Sequence, residues 1–138
     1  MKKILVVEDD AKIAAALRIR LESVGYQVVS AGDGFSGLKM TMTHHPDLIL
    51  LDIMMPVGMG FSVAERLKDL GLGDIPIIFI TASKRAGLRK MAQQLGAAGF
   101  FEKPYDADQL LAAIQLILGP VPFPAAHNPS STTQRPSP

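Results

Sequence analysis

Three short stretches of this chain are apolar at every position: Ile4-Leu5-Val6-Val7, Leu48-Ile49-Leu50-Leu51 and Ile77-Ile78-Phe79-Ile80. A strand sends successive side chains to opposite faces, so a run with no polar member must be covered on both sides. That condition predicts parallel strands clothed by helices, and it excludes a sheet with one wet face. Gln27-Val28-Val29-Ser30 and Gly99-Phe100-Phe101 supply two more strands. The intervals between them carry helical spacing. Ile13, Leu17, Leu21 and Val24 form one stripe, Val63, Leu67 and Leu70 a second, and Leu88, Met91, Ala92 and Leu95 a third. Leu110, Ile114, Ile117 and Leu118 form a fourth, entered through Asp106 with Gln109 three residues later, the spacing of a capping box. A weaker helix is expected over residues 35–42, with Phe35, Leu38 and Met42 inward.

Strands alternating with helices give a (βα)5 chain, and right-handed crossovers make the sheet parallel. The expected fold is a flavodoxin-like doubly wound α/β domain with five strands in the order 2-1-3-4-5. In such sheets chemistry sits outside the carboxyl ends of the strands, at the switch point between strands 1 and 3.

Composition narrows the function classes. With 138 residues the chain has room for one domain, and with no cysteine it can hold neither disulfides nor thiolate metal sites. The balance of 14 Lys+Arg against 13 Asp+Glu makes no general electrostatic case for binding nucleic acid. Asp47 and Asp52 bracket the apolar run between them, far short of the roughly 18 residues of a membrane span. Glu8-Asp9-Asp10 cuts the apolar N-terminus too short for a signal peptide, so a cytoplasmic protein is expected. Composition shifts at Gly119. The segment from there to Pro138 holds six prolines and the run Ser130-Ser131-Thr132-Thr133, which predicts a folded domain over 1–118 and a disordered tail or linker stub over 119–138.

The strand ends bring reactive groups to one edge. Strand 1 ends in Glu8-Asp9-Asp10, strand 3 in Asp52, strand 4 in Thr81-Ala82, and strand 5 runs through Glu102 into Lys103-Pro104. A single acid there is more often a helix cap, and a single lysine a solvated surface group. The set is harder to explain away. Two carboxylates about 4 Å apart repel by about 4 kcal/mol at an effective dielectric near 20. Three in one crevice need raised pKa values or a cation, and Mg²⁺ suits a small site of carboxylates and waters. A carboxylate between Mg²⁺ and the Lys103 ammonium, with the Thr81 hydroxyl near, is suited to receive a phosphoryl group. Flavin phosphate would be repelled by Glu8-Asp9-Asp10. An aspartyl phosphatase would show Asp-x-Asp after strand 1, and no phosphate-binding glycine loop opens the first turn.

With these motifs assembled, the stretch from Lys2 to Leu118 resembles the receiver domain of two-component response regulators, of the stand-alone CheY-like type. The resemblance rests on Leu5-Val6-Val7-Glu8-Asp9-Asp10, on Leu50-Leu51-Asp52-Ile53-Met54-Met55-Pro56, on Thr81-Ala82 and on Lys103-Pro104. It implies Asp52 as phosphoacceptor, with Mg²⁺ held by Asp9, by Glu8 mainly through water, by Asp52 and by the Met54 carbonyl. It implies Thr81 and Lys103 as partners of the phosphoryl oxygens, a cis Lys103-Pro104 bond, and Phe100, three residues before the lysine, as a switching aromatic. After Pro56 the family commonly has one residue, then Met, Asp or Asn, and Gly. Here Val57-Gly58-Met59-Gly60 stands instead, and the glycine pair is expected to loosen that loop.

By the same resemblance the protein is not an enzyme but a phosphoacceptor that assists its own phosphorylation and dephosphorylation. A histidine kinase or phosphotransfer protein would supply the phosphoryl group, and the surface of helix 4, strand 5 and helix 5 would then change its affinity for an unknown downstream protein. Monomer or phosphorylation-dependent dimer both fit, with no nucleic-acid or membrane contact expected. The alternative is the regulatory domain of a DNA-binding transcription factor. Nothing after Gly119 resembles a helix-turn-helix, which favours the stand-alone reading.

Overall fold

In the computed structural model, which describes residues 1–54 and 60–120, five strands alternate with five helices. They are β1 (Lys3–Val7), α1 (Ala11–Ser23), β2 (Gln27–Ala31), α2 (Gly34–His44), β3 (Leu48–Asp52), α3 (Gly60–Asp69), β4 (Ile77–Thr81), α4 (Leu88–Gln94), β5 (Gly99–Glu102) and α5 (Ala107–Leu118). All pairings are parallel, as the all-apolar runs call for, and the order is the expected β2-β1-β3-β4-β5. Ile4 pairs with Val28 on one side and Leu48 on the other, Asp52 with Ile80, and Thr81 with Glu102.

The period of two divides each central strand between two cores. Ile4, Val6, Leu48, Leu50, Ile78 and Ile80 face Leu17 and Leu21 of α1 and Leu110, Leu111 and Ile114 of α5. Leu5, Val7, Ile49, Leu51 and Phe79 face Phe61, Val63 and Leu67 of α3 and Leu88 and Ala92 of α4. The Phe61 ring meets Phe79 edge-on at 5.0 Å between centroids. At the start of α5, Asp106 accepts the amides of Asp108 and Gln109, so the expected cap is in place.

Four expected core positions lie elsewhere. In α2 the inward face is Gly34, Gly37 and Thr41, while Phe35 is 64% and Met42 45% exposed. The cause is a close approach: a Cβ on Gly37 would stand 3.1 Å from a Val7 methyl. A helix seated on its glycines turns the next positions, 35 and 42, to solvent, while Leu38 and Met40 stay half-buried against the core. Thr41 satisfies its buried hydroxyl by donating to the Gly37 carbonyl at 2.8 Å. Leu70 falls past the end of α3 and is exposed; after Gly71, whose φ is 79°, Leu72 turns back to pack instead. On α4, too short for a full stripe, Met91 faces out. The loosened loop expected from the glycine pair falls mostly on residues 55–59, and the Pro-rich tail mostly on 121–138, both outside the described residues.

One buried group sits poorly in this core. The Tyr26 hydroxyl has no hydrogen-bond partner among the described residues, and burial pushes its pKa up. Tyr26→Phe is expected to raise stability by up to about 1 kcal/mol, read as a higher urea midpoint at unchanged slope. A lower midpoint would mean that the hydroxyl is paired in solution.

Candidate functional site

β1 and β3 are neighbours, so their carboxyl ends deliver Glu8 and Asp52 side by side. Both are buried. The Glu8 amide donates to the Ala31 carbonyl at 3.0 Å, which holds the chain just beyond β1 against β2. Asp10 is the cap of α1, its carboxylate accepting the amides of Lys12 at 2.9 Å and Ile13 at 3.2 Å. That leaves Asp9, exposed at the rim, free of the capping role.

Lys103, just past β5, completes the arrangement. Its ammonium donates to Glu8 Oε1 at 2.9 Å and to Asp52 Oδ2 at 3.0 Å. The second oxygen of each acid accepts a backbone amide, Asp10 to Glu8 Oε2 at 3.1 Å and Met54 to Asp52 Oδ1 at 3.0 Å. Each buried carboxylate is thus held at both oxygens, once by the shared cation and once by the chain two residues ahead. The Lys103 amide donates to the Thr81 carbonyl at 2.8 Å, and the Lys103-Pro104 bond is cis.

Charge is not balanced there. Glu8, Asp9 and Asp52 each bring a carboxylate oxygen within 4.8 Å of the others, facing one ammonium. Burial pushes the Glu8 carboxyl above its usual range, although the Lys103 hydrogen bond pulls against it and the Asp52 charge adds to it. Burial presses the Lys103 ammonium downward, but its bonds to Glu8 and Asp52 and their charges outweigh that, so its pKa is raised. Three hard oxygen donors, one of them exposed, fit a hard divalent cation such as Mg²⁺. Among the described residues this is the only such group of acids.

The remaining expected residues lie near but are engaged differently. Thr81 ends β4, fully buried, and its hydroxyl accepts the Ser83 amide at 3.0 Å; among the described residues it makes no bond to Asp52 or Lys103. The amide of Met54 touches Asp52, and its side chain is exposed. Phe100 is half-buried on β5, with the Arg89 guanidinium over its ring at 4.7 Å.

Sequence reasoning named Gly60 only as one of a loosening pair and missed its place at the site. Gly60 opens α3 directly beneath Asp52: a Cβ there would stand 2.7 Å from the Asp52 carbonyl oxygen, and the Gly60 amide donates to the Ile53 carbonyl at 3.0 Å. A glycine immediately before an amphipathic run was the available signal. It marks a close backbone approach.

The family model described as the response regulator receiver domain matches residues 4–115. The transcriptional regulatory protein DltR of Streptococcus agalactiae is 44% identical over 114 residues, 83% of this chain and 50% of that protein. RpaA of Synechocystis, a DNA-binding dual master transcriptional regulator, is 36% identical over 86% of this chain and 49% of its own length. The chain therefore spans about half the length of the curated relatives it matches. Among solved structures, the receiver domain of a Pseudomonas aeruginosa sensor histidine kinase, with a magnesium ion coordinated in its active site cleft, superposes with a TM-score of 0.77. It is 29% identical and covers 86% of this chain and 98% of its own.

Removing the shared cation tests these electrostatics. Because folding raises the Glu8 pKa, its contribution to stability is present at low pH and lost as pH rises through its folded value, above 4.5. The Lys103 contribution is complete below 10.5 and lost only above it. Lys103→Ala deletes the bond that lowers the Glu8 pKa, so Glu8 moves further up. The variant is expected to lose about 2–4 kcal/mol near pH 8 and clearly less near pH 5, measured by urea unfolding. An equal deficit at both would contradict the arrangement.

Proposed function

Because the chain belongs to the response regulator receiver domain family, we propose that Asp52 is its phosphoacceptor and that Lys103, Thr81 and Phe100 convert the modification into a change of surface. The observation that carries this is the single ammonium bridging Glu8 and Asp52 beside the rim carboxylate of Asp9. Such a pocket has negative charge to spare for a metal and a fixed positive charge for a phosphoryl oxygen.

A phosphohistidine of a histidine kinase or phosphotransfer protein is the donor this site suits. A carboxylate oxygen of Asp52 attacks phosphorus opposite the imidazole nitrogen and the P–N bond breaks. Its electron pair stays on the nitrogen, which takes a proton, and Asp52 becomes an acyl phosphate. The Met54 amide and the Lys103 ammonium hold the carboxylate in place before attack. Lys103 then pairs with a phosphoryl oxygen, and Glu8 keeps its other contact. Mg²⁺ bound by Glu8, Asp9, Asp52 and the Met54 carbonyl would neutralise phosphoryl charge. The product carries about −1.5 to −2 of charge. Thr81 gives up the Ser83 amide and donates its hydroxyl to the new group, Phe100 turns inward, and the α4–β5–α5 surface shifts between states already in equilibrium.

A cytoplasmic location fits this donor, and among the described residues no helix is long and apolar enough to cross a membrane. Residues 1–118 then make up the receiver and 119–138 a tail or linker. The names of DltR and RpaA favour a second reading, in which the output is a DNA-binding partner or domain rather than a protein contact alone. Gel shift with genomic fragments, using the product of the native open frame, separates the two: a phosphorylation-dependent shift selects the second.

Incubation with acetyl phosphate and Mg²⁺, followed by intact mass, is expected to show one added phosphoryl group on the native chain and none on Asp52→Asn. Equal gain in both would move the acceptor elsewhere.

A further inference from the structure

Helix α4 is the least secured element of the sheet's second face. It has seven residues and enters through Gly87 at φ 90° with no side-chain cap. Only Leu88 and Ala92 of it are buried. A helix so short has no stability of its own, so its seat depends on contacts to its neighbours. Two polar contacts tie this region to β5. Lys84, in the loop before α4, reaches Glu102 at 3.3 Å, an exposed pair of small worth. Arg89 alone does so from the helix itself, with its guanidinium 4.7 Å from the centroid of the Phe100 ring.

That ring is half-buried and packs against the core that holds Phe79, its partner across the β4–β5 ladder. Arg89 therefore lies on the outer side of a ring whose other side meets the core. Turning the ring inward carries it away from the guanidinium; keeping the guanidinium on it holds the ring outward.

We propose that Arg89 is a latch. Its stack on Phe100 holds α4 against β5 while Asp52 is unmodified, and the inward turn of Phe100 breaks the stack and releases α4. The inference rests on the phosphoacceptor reading above and adds to it a positioning residue, which touches neither the metal nor the phosphoryl group. It has a reciprocal consequence. If modification weakens the latch, the latch must weaken modification by the same factor. An exposed cation–π contact of this kind sets that factor at about two- to five-fold.

The test uses beryllofluoride with Mg²⁺ as a non-covalent stand-in for the phosphoryl group, titrated into the native chain, Arg89→Ala, Arg89→Lys and Asp52→Asn and followed by NMR. In the free native chain the Arg89 δ-protons should be shifted upfield by the Phe100 ring and should return to ordinary values at saturation. Arg89→Ala should bind beryllofluoride about two- to five-fold more tightly, with Arg89→Lys between it and the native chain. An upfield shift that persists at saturation, or an Arg89→Ala affinity equal to or weaker than native, overturns the latch. A native chain that does not respond to beryllofluoride overturns the phosphoacceptor reading itself, and Asp52→Asn shows the same silence in either case.

Discussion

The Lys103 ammonium touches two carboxylates, Glu8 at 95 and Asp52 at 51 positions' distance along the chain. Without it two buried carboxylates would stand side by side with no cation between them. Topology makes the meeting possible. β1 and β3 are adjacent and place the acids together, while β5 lies two strands from β3, roughly 10 Å away in the hydrogen-bonding direction. The lysine must cross the end of β4 to reach them. That strand ends in the small Thr81, whose carbonyl also accepts the Lys103 amide, so the element being crossed anchors the residue that crosses it. Four strand ends are thereby locked into one electrostatic unit, and the excess of carboxylates over ammonium is what leaves the unit ready for a cation.

The strands were legible because their covering is written twice, once on each face: an all-apolar run of four allows few other fates, and the order 2-1-3-4-5 was expected as the flavodoxin-like doubly wound one. The acids were legible because Glu8, Asp9 and Asp52 stand where strands give out. Helix packing was less so. Phe35 and Met42 look like core residues until the 3.1 Å approach at Gly37 is known, and absence of a side chain leaves no apolar mark in a pattern. The close approach of Gly60 to Asp52 went unread for the same reason. Its contribution is the room it makes under Asp52, and the sequence offers only a glycine to show for it.

Stability and responsiveness are distributed unevenly over this fold. The acids and Lys103 are held by paired hydrogen bonds and buried strands, so the place where the proposed modification adds charge is stiff. Helix α4 is short, uncapped and seated on only Leu88 and Ala92 with one stacked arginine, so the place proposed to respond is soft. A charge added to a stiff pocket cannot be absorbed by local relaxation, and the nearest element of low cost to move is α4. Thr81 and Phe100 stand on adjacent strands between the two regions.

The central claim is that the convergence of these strand ends makes one particular aspartate the acceptor. Reducing the phosphorylated chain with borohydride converts an aspartyl phosphate to homoserine, and peptide mass mapping then locates it. Homoserine at position 52 alone is the expected result. Homoserine at position 9 or 10, or phosphate that survives reduction as a serine or threonine ester, would contradict the account.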